Sequence, residues 1–150
     1  MTGLDTNVLV RYLTQDDPRQ AREANALISG TIEKGERCFI AVVVLCELVW
    51  VLRGAYRLEK AMVAMALDRI LATAQFDIDE RDVVRRALED YRTGKGDFAD
   101  YVVGNHNRES GCPTTATFDR RLKDSPLFRV LGARGAARPW RLSAPIPATG

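Results

Sequence analysis

Hydrophobic positions in the first 132 residues repeat on two periods, and the alternation between them predicts the class of fold. Short apolar or β-prone runs at Thr2–Asp5, Cys38–Ile40, Gln75–Ile78, Pro113–Thr117 and Phe128–Leu131 have the length of strands. Between them, Val8, Leu9, Tyr12 and Leu13, then Ala21, Ala24, Leu27 and Ile28, then Val83, Val84, Ala87, Leu88 and Tyr91 recur at helical spacing. Asp17-Pro18-Arg19-Gln20 supplies an N-cap, a proline at the first helical position and a capping-box glutamine, which predicts a helix over about 18–33 ending near Gly35. Ala41–Leu52 is apolar on every side except at Glu47, which predicts a helix buried round most of its circumference, although periodicity alone does not separate it from a strand. Leu58–Ala72 is helical by composition, with Met62, Met65, Ala66 and Ile70 on one side. Asp79 is placed to cap the helix that Gly94-Lys95-Gly96 breaks, and further helices are predicted over Asp97–Arg108 and Asp119–Lys123.

Short strands alternating with longer helices imply an α/β fold, with a short, mainly parallel central sheet flanked by helices. At 150 residues and 46% hydrophobic composition, the chain is long enough for one sizeable core and too short for two. From Ala133 onward Gly, Ala, Pro and Arg dominate and no amphipathic period survives, so residues 133–150 are expected to form a flexible or loosely docked tail behind a domain spanning 1–132.

Charge and cysteine usage remove several function classes. The net charge is +2, and the tail holds three of the 22 basic residues and no acid, leaving 19 basic against 20 acidic groups in the body. A near-neutral body does not attract nucleic acid wholesale, so any polyanion would need a local patch or a bridging metal ion. Cys38, Cys46 and Cys112 are odd in number and lack C-x-x-C spacing, which argues against a disulfide framework or a zinc ribbon and predicts reduced, buried thiols. No signal-peptide pattern opens the chain and no uncharged apolar run reaches membrane-spanning length, which gives the expectation of a cytoplasmic protein with no membrane partner.

The remaining chemistry lies in carboxylates at the ends of apolar runs. Asp5 and Asp119 both follow predicted strands, where ligands gather in open α/β sheets, and each has helix capping as its ordinary alternative. Glu47 within an apolar helix would carry a desolvation cost of several kcal/mol unless paired, protonated or metal-bound, and its neighbours Val44-Leu45-Cys46 and Leu48-Val49-Trp50 offer no partner. A distant arginine is the structural alternative to a ligand role. Asp97 and Asp100 share the first turn of a predicted helix, where Asp97 reads as an N-cap and Asp100 is less readily explained by capping. Two acids so close repel each other unless a cation or a proton intervenes.

With His106 as the only histidine, a multi-histidine zinc site is impossible and a Ser/His/Asp or Cys/His triad is poorly supported; the residue reads as a surface or interface side chain. No phosphate-cradling G-x-x-x-x-G-K-[ST] or G-x-G-x-x-G loop is present. An all-oxygen donor set suits Mg²⁺ or Mn²⁺.

Four blocks carry a family resemblance: Gly3-Leu4-Asp5-Thr6-Asn7-Val8-Leu9-Val10-Arg11, Glu47 in its apolar helix, Asp97-Phe98-Ala99-Asp100-Tyr101-Val102-Val103, and Thr117-Phe118-Asp119. In order and approximate spacing they resemble the PIN domain, and within it the VapC-type ribonuclease toxins of type II toxin–antitoxin systems, over about residues 2–131. That resemblance implies a three-layer PIN-like fold and a metal-dependent endoribonuclease hydrolysing RNA phosphodiester bonds. It implies that Asp5, Glu47, Asp100 and Asp119 form the catalytic, metal-binding set, holding one or two Mg²⁺ or Mn²⁺ ions, with Asp97 as an accessory acid and Thr6, Asn7 and Thr117 positioning carboxylates and water. A VapB-type antitoxin partner and a homodimer are likewise implied, with the Leu58–Ala72 helix as a possible contributor to the dimer or simply core. The stretch Tyr101-Val102-Val103-Gly104-Asn105-His106 departs from the run of small residues more usual in relatives.

Arg11, Lys95 and Arg120, with Arg53, Arg108 and Arg121, are candidates for RNA phosphate contacts because they neighbour the acidic blocks in sequence; solvated helix-face charge is the ordinary alternative for each. Two other readings compete with the nuclease. A catalytically inactive PIN-like scaffold binding RNA or protein gains nothing from clustered acids facing a polyanion. A phosphoacceptor receiver domain would need a lysine just after a late strand, and none follows Pro113–Thr117 before Lys123.

Overall fold

The computed structural model describes residues 1–132, so the expectation for residues 133–150 lies outside the described residues. In chain order the elements are β1 (Thr2–Gly3), α1 (Thr6–Thr14), α2 (Pro18–Glu33), β2 (Cys38–Ile40), α3 (Val42–Gly54), α4 (Lys60–Ala72), β3 (Phe76–Ile78), α5 (Arg81–Thr93), α6 (Phe98–Glu109), β4 (Thr115–Thr117), a 3-10 turn (Arg120–Leu122) and β5 (Phe128–Val130). Strands β1, β2 and β3 form a parallel sheet in that order, with Thr2 beside Cys38 and Cys38 beside Phe76. β4 and β5 form a second parallel pair with Thr115 opposite Phe128. The α/β class and the parallel pairing are those expected, with the strands divided three and two.

Three-residue strands contribute little alone, so the core comes from what they bury against helices. Cys38, Ile40, Phe76 and Ile78 are buried while Phe39 and Asp77 between them are half-covered, the period-2 alternation of a sheet. Each fully buried Ile, Leu or Phe side chain contributes about 1.5–3 kcal/mol. Helix α5 has the clearest amphipathic face, burying Val83, Val84, Ala87, Leu88 and Tyr91, and it packs along α6.

The capping predictions hold in part. Asp17 Oδ1 accepts from the backbone N–H groups of Arg19 at 3.1 Å and Gln20 at 2.9 Å, with Pro18 at the first helical position. Gln20 does not complete a capping box; its Oε1 accepts instead from Arg11 Nε at 2.6 Å. Asp79 caps a different helix from the one expected. Residue Glu80, in a left-handed conformation, stands at the N-terminus of α5, while Asp79 Oδ2 accepts the N–H of Val42 at the start of α3, 3.4 Å away. The cause is strand adjacency: Ile40 and Ile78 are register partners, so the chain leaving β3 emerges beside the chain leaving β2.

Two helices bury a narrower face than their composition suggests. α3 buries Val44, Leu45, Leu48, Val49 and Leu52, but Val43, Glu47 and Trp50 lie on the opposite, exposed stripe. α4 buries Val63, Ala64, Leu67 and Ile70, leaving Met62 and Met65 about half exposed on the other side. The cysteines are all free as expected, yet only Cys38 is buried; Cys46 is half-buried and Cys112 is exposed in the loop before β4.

Helix α6 is fixed by its apolar side. Phe98 and Tyr101 are buried, Phe98 meeting Tyr91 edge-on at 6.0 Å between ring centres and Tyr101 meeting Phe128 at 6.3 Å. The departure noted in this helix does not loosen it. A Cβ at Gly104 would stand 2.9 Å from Phe128 Cζ and 3.2 Å from Leu127 Cβ, so the glycine admits the segment leading into β5. Next to it, buried Asn105 donates to Asp90 at 2.8 Å and to the Tyr101 carbonyl at 2.9 Å, tying α6 to α5.

Candidate active site

Folding α6 by its apolar side presents its first-turn acids on the other. Their presentation begins with the loop before the helix, where Gly94 and Gly96 allow close approach: a Cβ on Gly94 would stand 1.8 Å from Tyr101 Oη, and one on Gly96 would stand 2.4 Å from Leu122 Cδ2 and 3.2 Å from Asp100 Oδ2. Tyr101 Oη accepts the Gly96 N–H at 3.1 Å, and Lys60 Nζ donates to the Gly94 carbonyl at 2.5 Å, 4.8 Å from the centre of the Tyr91 ring. The loop is thus pinned from two sides, and Asp97 follows it directly.

Asp97 stands at the N-cap of α6, as the sequence predicts, and closes a capping box with Asp100. Asp100 Oδ2 accepts the backbone N–H of Asp97 at 2.8 Å, the third-position limb of that box. The reading of Asp97 as N-cap holds, and Asp100 gains a capping role that the sequence did not show. Asp97 remains exposed and Asp100 is half-buried.

The third acid arrives from β4. Thr117 Oγ1 accepts the backbone N–H of Asp119 at 3.0 Å, fixing the turn that leaves the strand. Asp119 Oδ1 in turn accepts the N–H of Arg121 at 2.9 Å and starts the 3-10 turn.

These three carboxylates meet on one guanidinium. Arg121 Nη2 stands 2.7 Å from Asp119 Oδ2, 3.4 Å from Asp97 Oδ2 and 3.9 Å from Asp100 Oδ2, while its Nε lies 3.1 and 3.0 Å from the two Asp119 oxygens. One cation therefore faces three anions. Hydrogen bonds from Arg121, by its side chain first and its backbone next, hold the Asp119 carboxyl below its usual range. Burial pushes the Asp100 carboxyl the other way, with the charges of Asp97 and Asp119 adding to the rise against the Asp97 N–H and Arg121. Sequence reasoning placed Arg121 among phosphate contacts; it is the counter-ion of the acidic blocks, and the signal available was only its position two residues after Asp119.

Among the described residues, no hydrogen bond or ion pair joins Asp5 or Glu47 to Arg121 or to the three acids around it. Asp5 stands at the N-cap of α1, where its backbone carbonyl accepts from Val8 and Leu9 at 3.1 and 3.2 Å, but its side chain makes no capping bond. The capping alternative thus does not account for its carboxylate. Buried Thr6 donates its hydroxyl to Glu47 Oε2 at 2.5 Å, joining α1 to the exposed stripe of α3. Glu47 is accordingly neither buried nor without a partner. Apolar neighbours at Val43 and Trp50 made the helix look enclosed, yet both side chains are about 60% exposed on either side of it. Asn7 is exposed at the mouth of a cleft of about 340 Å³ between α1 and α2.

The three cations singled out for RNA differ in availability. Arg11 is engaged by Asp16 at 3.0 Å, Gln20 at 2.6 Å and the Tyr56 hydroxyl at 3.0 Å, which draws it into a structural junction. Lys95 is open to solvent, its nearest acid Asp124 being 4.0 Å away. Arg120 is exposed beside the acidic turn. His106 pairs with Glu80 at 2.6 Å at the surface, in keeping with a non-catalytic reading.

Among the described residues, no three His, Cys, Asp or Glu side chains enclose a ready metal cage as they stand. The space on which Asp97, Asp100 and Asp119 converge holds the Arg121 guanidinium. In donor chemistry the residues suit a hard divalent ion, since every candidate ligand is a carboxylate oxygen and the local charge exceeds what one arginine neutralises. No helix among the described residues is long and apolar enough to cross a membrane.

Residues 4–126 match the family model described as PIN domain, a span that contains all five acids and Arg121. A VapC ribonuclease of Aquifex aeolicus (strain VF5) is 26% identical over 123 residues, covering 82% of this chain and 90% of the relative.

Proposed function

The chain belongs to the PIN domain family, and from that premise we propose that it is a Mg²⁺- or Mn²⁺-dependent endoribonuclease of the VapC type. The observation that carries this reading is the meeting of Asp97 and Asp100 from α6 with Asp119 from the end of β4 on a single cation, with negative charge in excess. Clusters of like charge persist at functional sites because they do work that stability alone would not select. Likeness to a relative named a VapC ribonuclease supports the choice of RNA as substrate.

Asp5, Glu47, Asp100 and Asp119 would hold one or two ions, with Asp97 as an accessory acid. When bound, such an ion supplies neutralisation of the phosphodiester charge and acidification of water at neutral pH. The chain's own residues do the positioning. Thr6 orients Glu47 through its hydroxyl, Thr117 fixes the backbone of Asp119, and the Asp97 N–H holds Asp100 to one rotamer. Asn7, exposed next to Thr6, is suited to holding water or substrate. Lys95 and Arg120 are exposed cations suited to backbone phosphates, where each contact adds affinity without base specificity. Arg11 is released from that role by its junction with Asp16 and Tyr56. A VapB-type antitoxin, homodimerisation and a cytoplasmic setting complete the proposal.

The test is cleavage of structured RNA by the purified protein. Activity is expected with Mg²⁺ or Mn²⁺ and is expected to stop with EDTA or in Asp5→Asn. RNA binding that persists without turnover, indifferent to EDTA and to the substitution, would instead establish a catalytically inactive scaffold.

A further inference from the structure

Asp119 has both carboxylate oxygens engaged by one residue. Oδ1 accepts from the backbone N–H and Nε of Arg121, and Oδ2 accepts from Nε and Nη2, so the pair closes a two-pronged fork of the kind arginine makes with carboxylates. The same Nη2 reaches Asp97 at 3.4 Å and Asp100 at 3.9 Å. A divalent ion held by these acids would draw on oxygens that Arg121 now engages, both of Asp119 and Oδ2 of Asp97. Ion and guanidinium therefore compete for those donors, and their charges repel.

We propose that Arg121 is a counter-cation built into the chain for its own acidic site, and that a divalent ion loads only as this guanidinium swings away. The inference rests on the metal-centre reading above and adds a regulatory step to it. Arg121 is suited to both positions. Its side chain is half exposed, so release needs no rearrangement of the core, and it sits in a short 3-10 turn anchored beneath by buried Leu122. The fork keeps Asp97, Asp100 and Asp119 gathered despite their mutual repulsion, so the site is held together between loadings. The cost is a metal affinity lower than the same carboxylates would show without the arginine.

The experiment is calorimetric titration of the full-length protein with Mn²⁺ alone, no RNA present, comparing wild type with Arg121→Gln. Roughly tenfold tighter binding is expected in the variant, which corresponds to ~1.4 kcal/mol and to the loss of a few exposed ion pairs. A parallel arm follows the Arg121 Nε–H resonance of the wild type by NMR during titration with Mg²⁺ alone. It is expected to move and to lose protection against hydrogen exchange as the site fills. Equal or weaker Mn²⁺ binding by Arg121→Gln, with the wild type binding normally, would overturn the counter-cation role and leave the metal centre standing. Absence of Mn²⁺ binding by both proteins at millimolar concentration would overturn the metal centre and this inference with it. Should Arg121→Gln fail to fold, the NMR arm decides: an unmoved Nε–H signal at saturating Mg²⁺ refutes the displacement.

Discussion

Arg11 and Arg121 both pair with acids, but the balance of charge around them differs. At the junction of α1, α2 and the end of α3, Arg11 meets a single carboxylate, Asp16, with Gln20 and the Tyr56 hydroxyl as neutral partners. Charge there is matched one to one. Thr14 and Tyr56 donate to Asp16 at 2.7 and 2.6 Å, and hydrogen bonding, from Tyr56 first and Thr14 second, lowers its pKa from 3.8 to about 2. At the other site Arg121 meets three carboxylates, and the half-buried one, Asp100, is pushed upward rather than down. A matched junction stabilises the ionised form of its acid, whereas at the second site burial first, and the charges of Asp97 and Asp119 after it, disfavour ionising Asp100 even as Arg121 lowers Asp119.

The contrast can be broken most severely at the acidic site. Asp119→Asn is expected to lower RNA cleavage on the order of a hundredfold or more, as removal of a metal-supporting carboxylate does. The same carboxylate-to-amide change at Asp16 is expected to act on stability instead, with the thermal midpoint falling at neutral pH and the cleavage rate unchanged. If both substitutions reduced stability and neither touched cleavage, the distinction between the two sites would collapse.

A smaller effect tests how the acidic site is held. Gly96→Ala puts a methyl group against Leu122 and Asp100 Oδ2. Overpacking of this kind costs about 1–3 kcal/mol, measurable by urea denaturation, and it should also displace Asp100 and reduce cleavage. Gly35, whose added Cβ would meet nothing, has no such link to the site despite its positive φ of 72°.

Acid titration gives the smallest and most directional signal. Because the folded-state pKa of Asp16 is lowered, its contribution to stability is present above the ordinary value of 3.8 and is lost as pH falls toward about 2. Asp119, also lowered, acts in the same direction. Asp100 is raised, so its ionisation disfavours the fold, and its effect has the opposite sign as pH rises through its folded pKa. Asp16→Asn should therefore flatten the loss of stability between pH 4 and pH 2 seen by circular dichroism, and Asp100→Asn should not.

Much of this was legible in the chain because the signals were local. Pro18 and Asp17 marked the start of α2, the spacing of Val83 to Tyr91 marked α5, and Gly94 to Gly96 marked the break before the acidic turn. The site was legible as a set of blocks, since Asp5, Asp97, Asp100 and Asp119 all stand at junctions where a strand or loop meets a helix. Facing directions were harder to read. Nothing in Val43, Glu47 and Trp50 tells which side of α3 is covered, because apolar residues on an exposed stripe look the same as core residues when only the period is known.

The sequence by itself determined the order of strands and helices, the chemical kind of every candidate ligand and the positions of the turns that carry them. Periodicity, capping and glycine punctuation act over a few residues, and those residues are adjacent in the chain. Tertiary structure decided the pairings: that Asp79 caps α3 because β2 and β3 lie side by side, that Thr6 reaches Glu47 across 41 positions, and that Arg121 comes to rest among Asp97, Asp100 and Asp119. Each of these depends on which distant segments pack together. Packing is settled by the whole buried surface at once, so one helix turn could announce its carboxylates without announcing the cation they would meet.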